Sequence, residues 1–91
     1  MNNDRRKAIT KLHAEIEELK TKLDDIKNQI ETIKDEEQDY FDNMPESLQG
    51  SDKGQAAEQA VDELDSAYNN LDTVESELED ALSSLDNATQ N

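Results

Sequence analysis

Aliphatic side chains recur through the first half of the chain at Ile9, Leu12, Ile16, Leu19, Leu23, Ile26, Ile30 and Ile33, at intervals that alternate between three and four residues. A repeat of about 3.5 residues keeps one stripe of a helix turned towards a partner helix, so this segment reads as one strand of a coiled coil. With Ile9 at heptad position a and Leu12 at d, the register continues through Glu37 and Tyr40 to Met44 and predicts a first helix from about residue 4 to about 42. From there to residue 51 the pattern breaks. Pro45 disfavours helical backbone at Met44, Gly50 offers a left-handed stop, and Ser51 is a good N-cap for a second helix. A short helical turn fits between Pro45 and Gln49.

The second half repeats leucine every seventh residue, at Leu64, Leu71, Leu78 and Leu85. With these at d, position a holds Val61, Tyr68, Glu75 and Leu82, and position g holds Ala60, Ala67, Val74 and Ala81. A second helix over about 52–88 therefore carries three apolar positions per heptad where the first carries two, and a stripe that wide touches two neighbours. The predicted fold is all-α: one domain, an antiparallel two-helix coiled-coil hairpin. The stripe of Ala60, Ala67, Val74 and Ala81 is the expected self-association surface, giving a homodimeric four-helix bundle.

Charge sets the orientation. Position e holds His13, Lys20, Lys27 and Lys34 on the first helix, and Glu58, Asp65, Asp72, Glu79 and Asp86 on the second. Such e rows meet in antiparallel pairs, whereas parallel pairs bring g to e. Pairing a with d across the seam sets Ile9 against Leu85, Ile16 against Leu78, Leu23 against Leu71 and Ile30 against Leu64, which centres the turn on Ser47. This register predicts ion pairs Lys34–Glu58, Lys27–Asp65 and Lys20–Asp72. It also sets Leu19 against Glu75 and Glu37 against Ala57, with the carboxylate stems snorkelling outwards, and packs Tyr40 over Gly54.

Composition narrows the function. A chain of 91 residues that is 32% hydrophobic and 3% aromatic cannot enclose a large globular core. High charge with low hydrophobicity also marks disordered chains, but eight aliphatics in unbroken heptad register argue for folding. With 24 Asp and Glu against 9 Lys and Arg, the net charge of −15 repels nucleic acid and anionic membranes and attracts basic protein surfaces. Cysteine is absent. His13 with Glu17 one turn on supplies two metal ligands, too few for a site. The acidic run from Asp35 to Asp42 lacks the central glycine and the spacing of a calcium loop, and no glycine-rich phosphate loop occurs. The expectation is a protein that is not an enzyme and has no catalytic residue, cofactor or metal. The basic N-terminus leads into an amphipathic pattern instead of an apolar run, and no stretch approaches the ~20 apolar residues of a membrane span; a cytoplasmic location, in a bacterial host, is expected.

Two groups of residues are candidates for binding a partner. Glu17, Glu18, Asp24 and Asp25 on the first helix, with Asp62, Glu63, Glu77 and Asp80 on the second, form acidic rows with spacings of ~5–6 Å, comparable with nucleic-acid phosphates. They are either a nucleic-acid-like surface or a solvated face that keeps the protein soluble. At the turn, Tyr40, Phe41, Met44 and Leu48 are either a specific contact point or a cap on the hairpin.

The segment from Asp35 to Ser51, above all Asn43-Met44-Pro45-Glu46-Ser47-Leu48-Gln49-Gly50-Ser51, followed by an acidic alanine and leucine heptad helix, resembles small acidic helical-hairpin proteins of unknown function encoded by bacteriophages and integrative elements. The resemblance covers most of the chain and implies context without mechanism. Small acidic proteins of such elements include inhibitors of host defence, some of which mimic nucleic acid. It implies an anti-defence inhibitor that binds a host protein with a basic surface. The other expectation is a scaffolding coiled coil that assembles with itself or docks a partner helix.

Overall fold

A computed structural model describes residues 1–90. Helix α1 spans Asn3–Asp42, a single turn α2 spans Glu46–Gln49, and α3 spans Asp52–Thr89. Asn2 starts α1, its side chain accepting from the Arg5 amide at 2.8 Å, and Ser51 starts α3 by accepting from the Gly54 amide at 3.4 Å. Each cap satisfies one of the amides that a helix start leaves without an intrahelical partner. α1 and α3 pack along their length as an antiparallel pair in a rod of 69 × 15 × 13 Å.

The turn differs from the sequence expectation at its glycines. Gly50 sits in right-handed backbone, φ −85°, and no described residue has positive φ. The chain reverses instead through Pro45 (ψ 144°), which separates α1 from α2, and Ser51 (ψ 175°), which separates α2 from α3. It is Gly54 that has to be glycine. It is buried where α2 crosses α3, and a β-carbon there would run into the Gln49 carbonyl. The expected packing of Tyr40 over Gly54 is replaced by this backbone contact, and Tyr40 stays 50% exposed.

The seam also differs. On α1 the a row is covered as expected: Leu23 is buried, and Ile9, Ile16 and Ile30 are half-buried. The d row is not. Leu12, Leu19, Ile26, Ile33 and Tyr40 are 38–55% exposed. The place expected for d is taken by the e row, where His13, Lys20 and Lys34 are half-buried and Lys27 is only 6% exposed. α1 is thus rotated about its axis towards its cationic flank. Lysine permits this because its methylene stem packs like an aliphatic while its ammonium reaches a partner.

Candidate functional site

Two faces of the rod result from that rotation. The first carries the ion pairs. Lys20 Nζ lies 2.9 Å from Glu79, Lys27 Nζ lies 2.7 Å from Asp72 and 3.1 Å from Glu75, and Lys34 Nζ lies 3.1 Å from Asp65. The expected partners, Asp72 for Lys20, Asp65 for Lys27 and Glu58 for Lys34, are each one heptad nearer the turn than those observed. Side chains lean towards the N-terminus of their own helix, which in an antiparallel pair carries them in opposite directions along the rod. A lysine on α1 therefore reaches an acid closer to the open end of the hairpin. Glu75, expected to snorkel beside Leu19, is drawn in to Lys27. His13 closes the row, with Nδ1 2.8 Å from Glu17 and Nε2 3.1 Å from Asp86.

Lys27 is the centre of this face. Its ammonium donates to Asp72 and Glu75 and lies 5.1 Å from the centroid of the Tyr68 ring. The hydrogen bond to Asp72 and then that to Glu75 hold its pKa well above the ordinary lysine value, against the opposing effect of desolvation. Lys20 is raised in the same direction by Glu79, and Lys34 by Asp65.

The second face is apolar. Heptad geometry places the d row of α1 and the g row of α3 on the side of the seam opposite the e rows. Ala60, Ala67 and Ala81 are half-buried and Val74 is 40% exposed. The alanine stripe read from the sequence is thus one half of a broader surface. Its other half, Leu12, Leu19, Ile26, Ile33 and Tyr40, is the row that the heptad pattern alone assigns to the seam. No sequence signal separates an a/d seam from an a/e seam directly; the hint is an e row, flanking a on the side away from d, made of long side chains.

The acidic candidates Glu17, Glu18, Asp24, Asp25, Asp62, Glu63, Glu77 and Asp80 are all exposed. Their heptad positions spread them around the rod. Glu17, Asp24 and Asp62 at b border the ion-pair face, Glu18, Asp25, Glu63 and Glu77 hold c, and Asp80 points away from the seam at f. At the turn the structure brings Tyr40, Met44 and Leu48 together with Pro45 and Lys53 around a cleft of about 400 Å³. Phe41 does not line it; it is half-buried at the end of the e row. Gln49 carries no signal in the sequence, yet its amide donates to the carbonyls of Phe41 (3.3 Å) and Met44 (3.4 Å). It satisfies carbonyls at a helix end whose last turn has no basic residue.

Among the described residues no group of three or more His, Cys, Asp or Glu is arranged to hold a metal ion, and no helix is long and apolar enough to cross a membrane. No protein-family model, curated protein or solved structure matches the chain.

Proposed function

We propose that this protein is a non-catalytic assembly module whose apolar face docks on the same face of a second copy to form a four-helix bundle. One observation carries this reading: five large side chains of α1, repeating every heptad, are 38–55% exposed on one face. Scattered exposed leucines are ordinary surface, but an unbroken row marks an interaction site. The row from Leu12 to Tyr40 is ~42 Å long at 1.5 Å per residue. Across a rod 15 Å wide this gives roughly 600 Å² per hairpin, so a pair buries about 1,200 Å², the lower bound for a stable specific interface. The hairpin alone has little else to hold it, since Leu23 and Ala57 are the only hydrophobic residues that are buried among those described.

Sedimentation velocity tests this. Wild type should run as a dimer at tens of micromolar, and Ile26→Glu and Ala67→Glu should each run as monomers with helical circular dichroism retained. Wild type that is monomeric at high micromolar concentration would refute it.

A second reading comes from the acids. The three lysines of the e row are consumed in ion pairs on one face, whereas Asp62, Glu63, Glu77 and Asp80 are exposed and form no ion pair among the described residues. A dimer that keeps them on its outside offers a rigid acidic rod to a protein with a basic groove, as a phage or mobile-element inhibitor acting as a nucleic-acid mimic would. Such binding should weaken as salt rises. Changing those four residues to Asn or Gln should abolish salt-sensitive capture of nucleic-acid-binding proteins from a bacterial lysate. Capture that is unchanged in that variant excludes mimicry and leaves assembly as the function.

A further inference from the structure

We infer that the two hairpins of the bundle lie head to tail, with the two-fold axis perpendicular to the rod near Ile26 and the turns at opposite ends. The inference rests on the proposed dimer and deepens it by fixing its symmetry. Two face-to-face arrangements are open to such hairpins. In one the axis runs along the rod, both turns share an end, and α1 lies over the partner's α3. In the other the axis crosses the rod, α1 lies over the partner's α1, and α3 over the partner's α3.

In the crossed arrangement each row packs on its own reversal. The d row of α1 is centred on Ile26, with Leu12 and Leu19 on one side and Ile33 and Tyr40 on the other. The g row of α3, Ala60, Ala67, Val74, Ala81 and Ala88, is small along its whole length, so it tolerates its own reversal about the level of Ile26. Reversal then sets Leu12 over the partner's Tyr40 and Leu19 over the partner's Ile33, with small side chains facing small side chains between the α3 helices. Both contacts fit within the 8–10 Å range of helix spacings.

Charge selects the crossed arrangement. The open half of the hairpin, residues 1–23 and 70–91, holds six Lys and Arg against ten Asp and Glu, whereas the turn half, residues 24–69, holds three against fourteen. Stacking like halves sets the two most acidic segments together. Stacking unlike halves separates them. It also brings Lys11, which forms no ion pair among the described residues of the hairpin, towards the partner's Asp39 and Asp42.

The chain has no cysteine, so single spin labels report the symmetry directly by double electron–electron resonance. A label at Asn28→Cys, on the outer surface near the middle of α1, should show an intermolecular distance of about 30 Å in either arrangement, since each helix is ~10–12 Å across. A label at Ser47→Cys, at the exposed tip of the turn, should show a distance on the order of 60 Å, twice the rise from Ile26 to the tip. A Ser47 distance of about 25 Å with the Asn28 distance intact would overturn the head-to-tail arrangement and leave the dimer standing. Loss of intermolecular coupling at both sites would overturn the dimer as well.

Discussion

On α1 the d row and the e row flank the same line of Ile9, Ile16, Leu23 and Ile30, yet the aliphatic d row stands in solvent while the cationic e row lies against α3. Residue type alone would reverse that outcome. The difference teaches that in a two-helix rod the inside is set by what the partner helix offers. α3 offers a ladder of carboxylates along its e row, and lysine stems bury almost as well as leucine while their ammonium groups stay bonded. The apolar row displaced by this exchange is then free for a second partner.

The comparison breaks first at the a row. Leu23→Ala should cost ~2–4 kcal/mol of unfolding free energy, as expected for truncating a buried leucine. Leu19→Ala, one d position away and 55% exposed, should cost under about 1 kcal/mol when measured by urea denaturation below the dimer concentration range. Equal costs would mean that d, and not e, faces α3.

Next in size is Lys27→Met, which keeps an aliphatic stem and removes the ammonium. It leaves Asp72 and the half-buried Glu75 without their partner, so the melting temperature should fall, and by more than for Lys34→Met, whose site is more open. A Lys27→Met variant as stable as wild type would show that the stem alone holds the e row in the seam.

The d row is sharpened by Ile26→Glu, whose effect should fall on assembly. The variant should match wild type in helicity and in unfolding at low micromolar concentration, and lose the rise of melting temperature with concentration that a dimer shows.

The smallest effect is the response to alkali. The pKa values of Lys20, Lys27 and Lys34 are raised in the folded chain by hydrogen bonds to Glu79, to Asp72 and Glu75, and to Asp65. The folded state therefore holds these protons more tightly than the unfolded state does. The stabilisation is complete below the ordinary lysine value of 10.5 and is lost as pH rises through the raised folded values. The urea midpoint should be flat up to about pH 10 and decline above it. Lys27→Met should flatten part of that decline, and Ile26→Glu should leave it unchanged.

The all-helical architecture and the packed helix pair were legible in the sequence because both rest on periodicity: Ile9 to Ile33 and Leu64 to Leu85 keep a heptad register that only long helices satisfy. The e-row pairing was legible in kind, since lysines on one helix and acids on the other demanded antiparallel packing. Its partners were displaced by one heptad because heptad letters carry no information about the lean of a side chain. Rotation of α1 about its own axis was hidden for a related reason. Turning the helix by about half of the ~100° between the consecutive positions d and e changes which row is inside without changing the period. The role of Gly54 was hidden because it depends on where Gln49 crosses, a contact set by the path of the turn.

The two tyrosines allow the central claim, that the e side closes the hairpin and the d side awaits a second copy, to be tested most directly. Tyr68 lies in the seam beneath Lys27, and Tyr40 ends the exposed d row. In the single-tyrosine variants Tyr68→Phe and Tyr40→Phe, acrylamide quenching can be followed from high micromolar to nanomolar concentration. The account predicts that Tyr40 is protected at high concentration and becomes accessible on dilution, while Tyr68 stays protected throughout. Tyr40 fully accessible at every concentration, or Tyr68 exposed together with it, would contradict the account.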